Sequence, residues 1–199
     1  MKIVLASNSP RRRSILQNIG LEIDVRAQDI CEDIDEKNPF KYAKDLSYLK
    51  ACAAKKNIDE MIIAADTIVV LNNEILGKPK DKNEAVLYLK RLSSGWHQVA
   101  TAVTILYKDI VLTDIEITKV KFSDLSKREI DNYILCNEWT DKAGGYGIQG
   151  VASFFVEKIE GCYFNVVGFP VRLFYSMLKK SEIDVWGELK CLKQQSQLQ

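Results

Sequence analysis

The segment MIIAADTIVV, residues 61–70, is apolar throughout except for Asp66 and Thr67. A continuous run of this kind predicts a strand covered on both faces, as in a sheet sandwiched between helices. An ionised carboxylate inside it is costly unless it meets a cation, a metal ion or hydrogen-bond donors. Asp66 is therefore expected at the mouth of the strand, facing a site. The competing expectation is a structural Asp bonded to nearby backbone N–H groups.

Working outward, KIVLA at residues 2–6 reads as a short strand that passes through SNSP into a helix. Ser9 caps that helix, Pro10 suits its first turn, Ile15, Leu16 and Ile19 form its apolar face, and Gly20 closes it. Residues 28–39 are acidic and turn-like. From Pro39 to about Lys56 the spacing of Phe40, Ala43, Leu46, Leu49 and Ala53 predicts a second amphipathic helix with a lysine-rich outer face. Downstream, Asn72-Asn73 predicts a tight turn, and Asp81 with Glu84 a capped helix to Leu92, ended by Gly95. WHQVATAVTILY and VLTDIEITKVKF, separated by Lys108-Asp109, predict an antiparallel hairpin. Ser126 and Glu129 cap a further helix. VASFFVEK and CYFNVV are expected as two strands joined across Ile159-Glu160-Gly161, and a last helix starts near Pro170. Helices alternating with strands and hairpins predict an α/β fold with a mixed, partly antiparallel central sheet flanked by helices, in two lobes around a cleft. A single domain is expected over residues 1–185, with a frayed tail over 186–199.

A chain of 199 residues, 47% apolar and 28% charged, buries a substantial core, which excludes disordered and fibrous classes. Lys and Arg total 28 and Asp and Glu 27, for a net charge of +1. No overall field therefore draws the chain to nucleic acid or to an anionic membrane, and neither partner is expected. The cysteines (Cys31, Cys52, Cys136, Cys162 and Cys191) show no C-x-x-C spacing and read as reduced thiols of a cytoplasmic protein. Three arginines follow a very short apolar start, the reverse of a signal peptide, and no stretch reaches membrane-spanning length.

Ser7-Asn8-Ser9-Pro10-Arg11-Arg12-Arg13 joins small hydroxyls, free backbone N–H groups at a helix start and guanidinium forks that match phosphate oxygens. An ordinary capped helix with solvated arginines gives the same pattern, and the loop is not a Walker A loop. Lys78, on the Gly77-Lys78-Pro79 turn, is placed to reach the space in front of Asp66, although a lone lysine is more often surface. Lys50 sits on the lysine-bearing helix, where exposure is the default. Within the acidic run Glu32, Asp33, Asp35 and Glu36, one member can add an oxygen ligand to a magnesium ion; a solvated loop is the plainer reading. Residues 141–150, DKAGGYGIQG, hold four of the ten glycines, which suits close approach to a flat ligand or a flexible connection equally. Gln149 offers donor and acceptor together, as an imide edge requires. His97, in an alternating β segment, reads as a packed structural residue, and no His triad or zinc site can be built.

LASNSPRRRSIL, AADTIVV, EILGKPKD, LSSGWHQVATAV, DKAGGYGIQG and FNVVGFP, in that order over roughly residues 1–180, together resemble the Maf family of nucleoside triphosphate pyrophosphatases. The resemblance implies a mixed α/β fold related to the inosine triphosphate pyrophosphatases. It also implies Asp66 as the catalytic proton acceptor beside a divalent metal (Mg2+ or Mn2+), with Glu32 as a second metal ligand. Ser7, Ser9, Arg11 and Arg12 fall in its phosphate-binding loop, and Lys50 and Lys78 match its two lysines. The trio Arg11, Thr67 and Gln149 is similar to the branch acting on dTTP and UTP, where Gln149 would meet the O4 and N3–H edge shared by uracil and thymine. Trp96, Trp139 and Ser47 depart from the family pattern. Water attacking the α-phosphorus, with Lys50, Lys78 and Arg12 offsetting charge on the departing pyrophosphate, is the expected reaction. A homodimer is expected by the same resemblance. The rival reading is a non-catalytic nucleotide-binding regulator of cell division and septum formation.

Overall fold

The computed structural model describes residues 1–189. β1 (Lys2–Leu5), α1 (Pro10–Asn18), β2 (Asp24–Val25) and α2 (Pro39–Ala54) open the chain, followed by β3 (Glu60–Leu71), β4 (Glu74–Leu76) and α3 (Lys82–Leu92). Next come β5 (Trp96–Tyr107), β6 (Ile110–Phe122) and α4 (Lys127–Leu135), then β7 (Val156–Glu160), α5 (Tyr163–Val167) and α6 (Val171–Lys180). The seven strands form one mixed sheet in the order β2-β1-β3-β5-β6-β7, with β4 paired to β3 off that path. β1 runs parallel to β2 and β3, and every other pairing is antiparallel. The α/β fold with a mixed, partly antiparallel sheet is thus as expected.

Caps and turns follow the local chemistry. Asn38 accepts from the N–H groups of Phe40 and Lys41, and Asp81 from those of Asn83 and Glu84. Ser126 and Glu129 cap α4 reciprocally. The β3–β4 turn carries Asn72 and Asn73 at φ 52° and 65°, the left-handed conformation that two-residue hairpin turns need. α2 stops at Ala54, two residues short of its expected end.

β3 forks the sheet. Its first residues pair with β1, from Lys2↔Glu60 to Leu5↔Ile63, and its last with β4, from Val69↔Leu76 to Leu71↔Glu74. Residues 64–68 between them pair with β5 alone. Alternation along β3 then divides the core. Met61, Ile63 and Ala65 pack with Leu16 of α1 and Phe174 and Met177 of α6, whereas Val69 packs with Leu89 of α3 and Tyr133 of α4. On the opposite face, Ile62 and Ala64 meet Ala51 and Ala54 of α2, and Ile68 and Val70 meet Ala43. The apolar packing on each face is therefore interrupted where β3 carries Thr67 on one side and Asp66 on the other.

Two expectations are corrected. CYFNVV is not a strand: residues 163–167 form the one-turn helix α5, and residues 151–155 form a 3-10 turn ahead of β7. The β-rich composition is overridden by tertiary hydrogen bonds. The Asn165 amide donates to Val99 O at 2.8 Å and to Thr118 Oγ1 at 2.9 Å, and Cys162 N donates to Thr118 Oγ1 at 3.0 Å, which turns the segment against the sheet. Within the expected tail, residues Trp186–Glu188 form a 3-10 turn, and Leu189 bridges to Leu21. The rest of that expected tail, 190–199, lies outside the described residues. β7 pairs only with Lys119–Phe122 of β6, so the outer edge of β6 from Ile110 to Thr118 has no strand partner among the described residues.

At the start of β3, Glu60 is held by both arms of Arg26, at 2.7 and 2.8 Å, and its side chain is 4% exposed. The Arg26 guanidinium pulls its carboxyl from 4.5 down to about 2. A carboxyl with a depressed folded value stabilises the native state above its unfolded value, and that contribution is lost as pH falls toward the folded value. Thermal unfolding followed from pH 7 down to pH values near 2 should therefore show Glu60→Gln less stable than wild type at neutral pH, with the difference closing below about pH 4.5.

Candidate active site

Because β1 ends at Leu5 while β3 runs on, the loop leaving β1 passes directly beside Asp66 and Thr67. One cleft of about 830 Å3 is lined there by the Ala6–Arg12 loop, Glu32, Lys50, Asp66, Thr67, Lys78 and residues 138–150, within the usual range for ligand sites. This is the crevice outside the carboxyl end of a parallel strand, where α/β sheets bind ligands.

α2 crosses the Asp66 face of the sheet, and Lys50 reaches from it into the cleft. Its ammonium donates to Asp66 Oδ1 at 2.7 Å and pairs with Glu32 Oε1 at 2.8 Å. Burial alone pushes the Lys50 pKa down, but Asp66 and Glu32 together outweigh it, and the net shift is upward. Lys50 is thus a firmly charged lysine. Its hydrogen bond, opposed by partial burial and assisted by Lys78 and Arg12, holds the Glu32 carboxyl below the usual range. Tyr42 Oη donates to Glu32 O at 3.0 Å and tethers the acidic loop. Each carboxylate keeps an oxygen beyond the one shared with Lys50. Hard oxygen donors of this kind suit Mg2+ or Mn2+ held through one or two carboxylates plus phosphate oxygens. Among the described residues no group of three or more His, Cys, Asp or Glu forms a self-sufficient cage.

Arg12 turns inward rather than out. Nε donates to Gly168 O at 2.9 Å, one terminal nitrogen to Ser7 Oγ at 3.1 Å and the other to Thr67 Oγ1 at 2.9 Å. Burial lowers its pKa, with Asp66 opposing, yet a guanidinium stays charged. Thr101 Oγ1 gives its proton to Asn165 O at 3.0 Å, so the 2.9 Å contact between Thr67 and Thr101 has Thr67 as donor. The Thr67 hydroxyl is therefore committed to Arg12 and Thr101 and points its proton away from the cleft.

The glycine-rich segment forms the facing wall. Gly144 N donates to Gly77 O at 2.9 Å and so joins it to the turn carrying Lys78, an exposed side chain at the cleft. Gly144 and Gly145 take φ of 67° and 71°, and a Cβ on Gly144 would strike Val69 at 3.0 Å. Gln149 is exposed on the rim, where it and Arg11 also share a side groove with Phe164 and Val167.

The fold thus gathers Ser7, Ser9, Arg11, Arg12, Glu32, Lys50, Asp66, Thr67, Lys78 and Gln149 around one space. His97 is buried and structural, as expected: Nε2 lies 2.6 Å from Tyr146 Oη, and burial pushes the imidazole down to about 4. Glu138 and Thr140 also line the cleft, and sequence reasoning passed over both. Neither interrupts an apolar run as Asp66 does, so no local signal marks them.

Residues 2–181 match the family model described as Maf-like protein. The chain is 51% identical over 178 residues to the dTTP/UTP pyrophosphatase of Thermosipho africanus (strain TCF52B), covering 89% of this chain and 92% of that protein. It is 49% identical over 189 residues to the dTTP/UTP pyrophosphatase of Thermoanaerobacter sp. (strain X514), covering 93% and 98%. A solved structure of a HAM1 protein from Coxiella burnetii aligns with a TM-score of 0.46 at 16% identity, over 64% of this chain and 75% of that one.

Arg12 joins α1, β3 and the end of α5 through three hydrogen bonds from a charged group, whereas Arg11 makes none among the described residues. Urea unfolding should show Arg12→Met destabilised by about 2–4 kcal/mol and Arg11→Met by about 0.5 kcal/mol or less.

Proposed function

The chain belongs to the Maf-like family, and we propose that it hydrolyses dTTP and UTP to the nucleoside monophosphate and pyrophosphate. The observation carrying this reading is that Asp66 and Glu32 share the Lys50 ammonium beside the Ser7–Arg12 loop, in the one space that also holds Lys78 and Gln149. A carboxylate pair next to a phosphate cradle serves anhydride hydrolysis and needs no covalent intermediate.

The triphosphate lies along the Ala6–Arg12 loop, where the Ser7 and Ser9 hydroxyls and the amino end of α1 face its oxygens. Asp66 orients a water molecule toward the α-phosphorus and takes its proton. A carboxylate is a sufficient base once the water is activated, so no histidine is required. Lys50 keeps the Asp66 carboxylate aimed through their 2.7 Å hydrogen bond, then shares its charge with the phosphates. Lys50, Lys78 and Arg12 offset charge on the departing pyrophosphate. Arg12 holds the loop in shape, and its two uncommitted N–H groups add positive charge at its base. Asp66 and Glu32 are the residues that would hold a divalent cation, which when bound lowers the pKa of water and offsets phosphate charge. At the far end, the Gln149 amide presents donor and acceptor to the O4 and N3–H edge of uracil or thymine. Arg11 stands beside it as the second discriminating residue, while Thr67 contributes through Arg12.

Asp66→Asn should lower kcat for UTP by about 10²- to 10⁴-fold while circular dichroism stays unchanged. Pyrophosphate, scored separately from orthophosphate, should be the inorganic product of wild type with either Mg2+ or Mn2+. Orthophosphate in its place would identify a phosphatase, and undiminished turnover in the variant would remove Asp66 from its role.

A further inference from the structure

Two glycines in the wall that carries Gln149 adopt ordinary backbone conformations. Gly150 has φ −115°, and Gly147 lies outside the left-handed region, so neither position needs glycine for its torsions. Space is the reason instead. A Cβ on Gly150 would lie 2.0 Å from Glu138 Oε2, and one on Gly147 would lie 2.8 Å from Lys142 Cε and 2.9 Å from its Cδ. Glu138 and Lys142 thus occupy the places where side chains would stand on either side of Ile148-Gln149.

Both are also bonded into the segment. Glu138 Oε2 accepts from Val151 N at 2.9 Å, just past Gly150. The Lys142 ammonium donates to Glu138 O at 2.5 Å and reaches Thr140 O at 3.5 Å, which closes the turn that presents the Glu138 carboxylate. Gly150 N donates to Gly147 O at 3.2 Å, so the residues between the two contacts form one tight turn with Gln149 at its exposed tip. Burial and the nearby Arg11 lower the Lys142 pKa, which marks an enclosed lysine rather than a solvated one.

We propose that Glu138 and Lys142 are positioning residues that brace the Gly147–Gly150 turn from both sides and so fix where Gln149 meets the base. The inference rests on the reading that Gln149 contacts the base, and it assigns to the pair a part in pyrimidine selection that neither side chain performs by touching the nucleotide. A brace acts on the position of a neighbour, so its loss appears mainly in KM for the preferred base, and conservative replacements that keep the bonds restore it.

Steady-state kinetics with UTP and CTP test this in wild type, Gln149→Ala, Lys142→Met, Lys142→Arg, Glu138→Leu and Glu138→Gln. Lys142→Met and Glu138→Leu should reduce the preference for UTP over CTP about tenfold, chiefly through KM for UTP. Lys142→Arg and Glu138→Gln, which retain a donor and an acceptor, should recover most of it. Either damaging change placed on Gln149→Ala should cost no further selectivity. Amide exchange of the peptide spanning 147–151, measured without nucleotide, should rise about tenfold in the two damaging variants, a readout independent of turnover. If Gln149→Ala collapses the preference while the brace variants leave both selectivity and exchange unchanged, the brace is overturned and the base contact stands. An unaltered preference in Gln149→Ala removes the base contact itself, and the brace proposal falls with it.

Discussion

Among the described residues, positions 64–68 of β3 pair with a strand on one side only, and the cleft exists because of it. A strand filling the space between the end of β1 and the start of β4 would have continued the apolar layers over both faces. Without one, the chain leaving β1 turns across the open edge, and the polar pair Asp66-Thr67 stands where each face of the core is already divided. Burial elsewhere in β3 is nearly complete, which fixes the strand's register and with it the height of both side chains. Rigid placement follows from the core, and chemistry is confined to the interruption.

Charge in that interruption is balanced locally. Lys50 answers the Asp66 carboxylate, which β3 holds in a partly dry setting, and then draws Glu32 in from the acidic loop. A buried pair earns little net stability after desolvation, so this arrangement is better understood as holding groups ready than as strengthening the fold. Arg12 differs in kind. Its three bonds run to the Ser7 loop, to β3 and to the end of α5, so a residue first legible as a phosphate ligand is also the fastening between segments distant in sequence.

How far the sequence could be read follows from where the information sits. Asp66 was legible because a carboxylate in an apolar run has few explanations. The long hairpin and the capped helices were legible because alternation and caps are local. Lys50 carried no such mark: a helix lysine is ordinarily solvated, and which turn of α2 lies over Asp66 is decided by packing. CYFNVV misled for a related reason, since its β-branched and aromatic residues match a strand while Asn165 makes its bonds to Val99 and Thr118, far away in the chain. Gly147 and Gly150 were visible as glycines, but the side chains that require them became apparent only in three dimensions.

The margin of β6 that no strand covers among the described residues bears on how the protein behaves at high concentration. Apart from the Ile115 N–H, which donates to the Asp114 carboxylate at 2.9 Å, outward backbone groups between Ile110 and Thr118 offer a template on which another copy's strand can add. Within that stretch lie Asp114 and Glu116, and two copies joining margin to margin would crowd these acids together. A strand added there would also have to displace the Asp114 carboxylate from the Ile115 N–H, which blunts the edge by chemistry separate from anything done in the cleft.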